Sequence, residues 1–221
     1  MNPVVLLDLD GTLVDSSQGV LHALRAGFAG AGLPAPDDAV LRTFIGPPVH
    51  DSLRRVGVPA DRHADVVHGY QVAFAERGNL MTHVFDGIPT ALADLRDAGA
   101  VLVVATAKPH RFAVPVLAHL GLAGLLDGVV GAPLDESESK GQIIGRALAS
   151  LGDRRPDRTR VVMVGDREHD VTGARENGLA CLGVLWGFGD RAELEAAGAA
   201  ALVSTPGELA AAALAQLGVR T

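Results

Sequence analysis

Cysteine is nearly absent from this chain: one residue, Cys181, in 221. No internal disulfide can form, and Cys181 sits in an apolar run ("LACLGVLW") that predicts a buried packing residue rather than a reactive thiol. Positive charge is also scarce. Nineteen Lys and Arg stand against 26 Asp and Glu, a formal net charge of −7. That balance argues against a nucleic-acid polymer or an anionic membrane surface as the main partner, while a small anionic substrate needs only a local focus of positive charge. No Lys or Arg precedes the first apolar run, which reaches Asp8 within a few residues. The expectation is therefore neither a signal peptide nor a membrane span, and a cytoplasmic location. Internal repeats and low-complexity linkers are missing too, and "ELEAAGAAALV" and "GELAAAALAQLG" read as Ala-rich helices.

What is present is apolar sequence, 48% of the chain, enough for a sizeable core in one domain or in one domain with a sub-domain. Short β-branched or Leu-rich runs recur, each followed by a helical stretch: "VVLLDLD", "VLVVATA", "DGVVGA", "RVVMVGD" and "CLGVLW". Strands alternating with helices read as βαβ units, and runs this continuously apolar predict strands covered on both faces. The fold class is doubly wound, parallel-sheet α/β of Rossmann-like type. The rhythm breaks after the first run, since no strand-like segment returns until about residue 101. Amphipathic helical patterns fill the gap, punctuated by "LPAPDD", "IGPPV" and "GVPAD". Residues 15–82 are thus expected to form a helical insertion over the carboxyl end of the first strand, with 1–14 and 83–221 forming the core.

Polar residues gather where the strands end. The first run closes on Asp8 and Asp10, which at a spacing of two share one face. Two carboxylates that close resist ionising together unless a cation or a shared proton intervenes. The second run ends in Thr106, with Lys108 following; Lys140 opens the helix after the third; Asp166 ends the fourth, with Asp170 one helical turn on. If the strands are neighbours, these groups converge. Asp8, Asp10 and Asp166 supply hard oxygen ligands suited to Mg²⁺. A hydroxyl, a lysine and the backbone amides near Gly11 and Ala107 suit phosphate oxygens. One carboxylate could attack phosphorus while the other serves as general acid and base.

"DLDGTLVDS", Thr106, Lys140 and "GDREHD" resemble, in order and at matching spacing, the four motifs of the haloacid dehalogenase superfamily of phosphatases. Over nearly its whole length the chain looks most like phosphoglycolate phosphatases with a helical cap. The resemblance implies that Asp8 is the nucleophile and Asp10 the acid and base, that Thr106 and Lys140 hold the phosphoryl group, and that Asp8, the Asp10 carbonyl and Asp166 bind Mg²⁺. Asp170 is then a ligand or its neighbour. Dehalogenases lack the second aspartate, so Asp10 points to phosphoryl transfer from oxygen. The related sugar phosphomutases resemble "KGVSREDSL" in the cap, whereas this chain reads "IGPPVHDSL" with Val49 at the arginine, which favours a hydrolase.

Blander readings stand beside these. Thr106 alone fits a helix cap, Lys140 alone a surface lysine with Lys108 as its competitor, and Asp170 an acidic residue at a helix start. Arg167 and His169 fit residues that shape the fourth motif. Histidines 22, 63, 68, 83 and 119 lack metal-ligand spacing. In the insertion, Arg42, Pro47, Pro48 and His50 surround a loop that could close over the pocket. The expected partner is a small phosphorylated metabolite, phosphoglycolate first. Nucleoside monophosphates, sugar phosphates, a phosphomutase reaction and a phospho-aspartate signalling or binding role are the alternatives. Both a monomer and a homodimer remain open.

Overall fold

The computed structural model describes residues 2–152 and 157–219. Six parallel strands form one sheet in the order β5-β4-β1-β6-β7-β8: β1 (Val4–Leu7), β4 (Val101–Pro109), β5 (Gly128–Ala132), β6 (Val161–Gly165), β7 (Ala180–Val184) and β8 (Ala201–Val203). β1 lies inside the sheet, with Leu7 opposite Val104 on one side and Val164 on the other. Alternation sorts its side chains between two cores. Val5 and Leu7 face the cluster that holds Leu102, Val104, Val162 and Val164, whereas Val4 and Leu6 face Val103, Ala105, Val161 and Met163. Helices α5 (Ile88–Asp97) and α10 (Leu209–Gln216) cover the first face; α7 (Lys140–Ser150) and α8 (Glu168–Glu176) cover the second. Each fully buried aliphatic side chain stabilises the fold by about 1.5–3 kcal/mol. Cys181 is also buried, on β7, and burial pushes its thiol well above the usual value.

Between β1 and α5 in sequence lie four α-helices, α1 (Ser17–Gly30), α2 (Asp38–Arg42), α3 (Val49–Arg55) and α4 (His63–Glu76). They bury a core of their own, including Leu24, Phe28, Leu41, Leu53, Val66 and Phe74. Phe112 and Val116 of α6 (His110–His119) join it and tie it to the sheet domain. No helix among the described residues is long and apolar enough to cross a membrane.

Three elements differ from the sequence expectations. The chain enters and leaves the helices through a two-stranded antiparallel ribbon, β2 (Val14–Asp15) with β3 (His83–Val84), too short to show any periodicity. "ELEAAGAAALV" is not one helix. Helix α9 (Arg191–Ala197) ends at Gly198, whose φ of 89° caps it, and the remainder becomes β8. β4 runs past Thr106 to Pro109, through a register shift between those two residues, so Lys108 belongs to the strand end.

Candidate active site

The carboxyl edge of β1 presents Asp8, whose backbone N–H donates to Val164 O at 2.9 Å. A tight turn follows, with Leu13 and Val14 both donating to Leu9 O. Gly11 makes that turn possible. Its φ is 84°, and a Cβ there would lie 2.1 Å from Asp166 Oδ2, so no side chain fits between the two motifs. Its amide donates to Val14 O at 2.8 Å, inside the turn. Asp166, at the end of β6, accepts from Phe188 N at 2.7 Å and from Thr12 Oγ1 at 3.4 Å.

Lys140 reaches this edge because Ser139 and Gln142 form a capping box that starts α7 at that residue. Its Nζ lies 2.6 Å from Asp8 Oδ1 and 2.7 Å from Asp170 Oδ1. A lysine in a first helical turn opposes the helix dipole, but two buried carboxylates outweigh that. α7 and α8 approach closely enough for the pairing because both are glycine at the crossing. A Cβ on Gly173 would fall 2.8 Å from Gly141 N. Burial raises Asp8 to about 6, against the pull of Lys140 and with repulsion from Asp170. Burial and the charges of Asp170 and Asp8 push Asp166 well above its usual value. Burial also pushes Asp170 up, but Lys140 and His169 outweigh it and leave it below the usual range.

Thr106 and Lys108 are two apart on β4, both buried. The Thr106 hydroxyl accepts from Lys108 N at 3.2 Å, and Lys108 Nζ lies 2.8 Å from Asp10 Oδ2 and 4.4 Å from the Phe74 ring centre. The two lysines thus stand together at the site, one per motif aspartate. Sequence reading treated them as competitors. The signal that separates them from surface residues is simple: Lys108 and Lys140 are the only two lysines in the chain. Asp10 Oδ1 is buried without a hydrogen-bond partner among the described residues.

These groups open into a pocket of about 450 Å³, mouth included, lined also by Ala107 and roofed from the helical insertion by Phe44, Ile45, Pro47, Val49 and Tyr70. Pro47 lines this pocket. Arg42 does not: it is exposed in the last turn of α2, outside the lining. Pro48 and His50 line a neighbouring depression with Asp51 and Arg54 instead. Arg167 Nη1 donates to Ile45 O at 2.7 Å while its Nε pairs with Glu193 at 2.8 Å, so it clips the roof to the sheet domain. Sequence reading missed Tyr70 and Glu136. Val49 N donates to Glu136 Oε2 at 2.6 Å across the mouth, and burial raises that carboxyl to about 7.

The acidic cluster suits a divalent cation. One carboxylate oxygen from each of Asp8, Asp166 and Asp170 lies within 4.8 Å of the others, all buried, and Lys140 pairs with Asp8 and Asp170. Burial, with mutual repulsion added, raises Asp8 and Asp166, and a bound cation would favour their ionised forms. Hard oxygen donors of this kind match magnesium or a similar ion. The Asp10 carboxylate stands outside the cluster, on Lys108.

A tyrosine-protein kinase, PtkA, from Mycobacterium tuberculosis is 40% identical over 187 residues, 84% of this chain; the chain spans 63% of that relative's length. A 5'-nucleotidase from Pseudomonas aeruginosa is 37% identical over 88% of this chain and 87% of its own. A phosphoglycolate phosphatase from Cupriavidus necator is 33% identical over 91% and 88%. In three dimensions the crystal structure of a predicted phosphatase from Clostridium acetobutylicum superposes with a TM-score of 0.90 at 35% identity, over 97% of this chain and 99% of that one. The haloacid dehalogenase-like hydrolase model matches residues 5–184. With its sheet order, helical insertion and carboxylate-edge site, the chain belongs to the haloacid dehalogenase-like hydrolase family.

Proposed function

We propose that the protein is a Mg²⁺-dependent phosphomonoester hydrolase acting on a small phosphorylated metabolite. One observation carries this reading: two aspartates of one turn, Asp8 and Asp10, are each paired with a different buried lysine at the edge of an acidic cluster. Asp8 Oδ attacks phosphorus, the bond to the leaving oxygen breaks, and an aspartyl-phosphate forms on Asp8. Asp10 supplies the proton to the leaving oxygen, then takes one from the water that hydrolyses the intermediate. Lys140 holds Asp8 in place and faces the charge of the transferring group. Thr106 and the Ala107 segment support its oxygens, and Lys108 keeps the Asp10 carboxyl oriented. Magnesium bound by Asp8, Asp166 and Asp170, with the Asp10 carbonyl, would offset the negative charge of the phosphoryl oxygens.

Residues 15–82 act in this reading as a cap over a core of 1–14 and 83–221, excluding water while the phosphoryl group moves. The family relatives name two substrate types, phosphoglycolate and 5'-nucleotides, and both are phosphomonoesters. The test is phosphate release from a panel of phosphomonoesters with Mg²⁺ and with EDTA. Metal-dependent release supports the reading, and no release from any ester overturns it.

A further inference from the structure

At the inner end of the pocket every cation is committed. Lys140 holds Asp8 and Asp170, and Lys108 holds Asp10. Arg167 is taken by Ile45 O and Glu193, and Arg42 lies exposed outside the lining. At the outer end, where the leaving group of an ester must lie, the lining is apolar (Val20, Phe44, Ile45, Val49) except for Tyr70 and one charged group, Glu136.

Glu136 is held there at a cost. It is the one non-glycine residue with positive φ among the described residues, at 51°, a conformation that glycine or asparagine adopts far more readily. Strain of this kind concentrates at functional sites, and glycine would relieve it. The side chain is also fixed: the Val49 N–H, in the first turn of α3, holds Oε2 at 2.6 Å.

We propose that Glu136 is a specificity-determining residue: it selects phosphate esters whose leaving group is uncharged or cationic and bears hydroxyl or amine donors, and rejects those carrying a carboxylate or a second phosphate. The inference rests on the phosphomonoesterase reading above, and it runs against phosphoglycolate as the preferred ester. A carboxylate accepts from a hydroxyl or ammonium group and repels a second carboxylate, and the cation that faces Glu136, Lys108, is already paired with Asp10. The apolar roof packs against the uncharged body of the leaving group.

The test compares kcat/KM at pH 8.5, where the Glu136 carboxyl at about 7 is ionised, with Mg²⁺ for phosphoglycolate, glycerol phosphate and phosphoethanolamine in the wild-type chain and in Glu136→Gln. Glutamine keeps an acceptor for the Val49 N–H and loses the charge. Wild type should favour the neutral and cationic esters over phosphoglycolate by roughly tenfold or more. Glu136→Gln should raise the phosphoglycolate to phosphoethanolamine ratio by a similar factor. Glu136→Gly, which relaxes the backbone, should shift that ratio the same way if the glutamine variant folds poorly. A wild-type preference for phosphoglycolate, or a ratio unmoved by these variants, overturns the proposal. Should no ester be turned over, the hydrolase reading fails by itself. Calorimetric binding of the same three esters to Asp8→Asn then decides the charge preference: weaker binding of phosphoglycolate sustains it, and equal or tighter binding sinks it.

Discussion

Asp8 and Asp10 are two residues apart yet differ in every partner: Lys140 and the acidic cluster for one, Lys108 and an unbonded buried oxygen for the other. That asymmetry assigns them separate tasks. Asp8→Asn should leave the fold intact and reduce phosphate release by about four orders of magnitude or more, as loss of a covalent nucleophile does; a stopped-time phosphate assay checks it. Glu136 gives a prediction for stability. Its folded carboxyl sits near 7 against an ordinary 4.5, so the folded state holds the proton more tightly than the unfolded one. Stability from this group is present below about pH 4.5 and is lost as pH rises through about 7, by on the order of 1–2 kcal/mol for a half-buried group. Melting curves should show wild type losing ground to Glu136→Gln between pH 5 and 8. Lys108, Asp51 and Asp135 face the same carboxyl, and none is changed in that comparison. Asp8, Asp10 and Asp166 could be singled out in the sequence because each follows an apolar run, and Lys140 because it opens the helix after the third run. Tyr70 and Glu136 were not, because they reach the pocket from a helix face and an irregular loop, where no periodicity marks direction.

At the scale of elements, the site depends on the crossing of α7 and α8. Gly141 and Gly173 let the backbones meet, and the contact delivers Lys140 to Asp170. Gly173→Val should force the helices apart, costing about 1–3 kcal/mol as overpacking does. It should also lower kcat, because Lys140 moves with its helix; urea unfolding and phosphate assays on one preparation test both. Arg167→Ala should free the Ile45 segment from the sheet domain and raise KM more than it lowers kcat, since the clip orders the pocket roof rather than the reacting atoms. The parallel sheet itself was readable from sequence, as five apolar runs became β1, β4, β5, β6 and β7. The misses share a cause. β2, β3 and β8 have two, two and three residues, shorter than any window in which alternation can be told from chance, and Ala-rich sequence before β8 favours helix until Gly198 stops it.

The whole molecule carries a net charge of −7 and brings three buried carboxylates together at one sheet edge, two of them paired with Lys140. Without a metal, Asp8 at about 6 and the raised Asp166 take up protons as pH falls, so protons and metal compete for the same oxygens. Mg²⁺ should therefore raise the melting temperature more at pH 8 than at pH 5.5, and Asp166→Asn should blunt the effect. The helical insertion has a core of its own, joined to the sheet's helices through Phe112 and Val116, and its residues roof the pocket beside this charged centre. The most direct test of the account is phosphate release from the ester panel by wild type and Asp8→Asn, with Mg²⁺ and after EDTA. The account predicts release by the wild type that EDTA abolishes and Mg²⁺ restores, and none above background from Asp8→Asn. Release from Asp8→Asn at the wild-type rate, or none from the wild type on any ester, would contradict it.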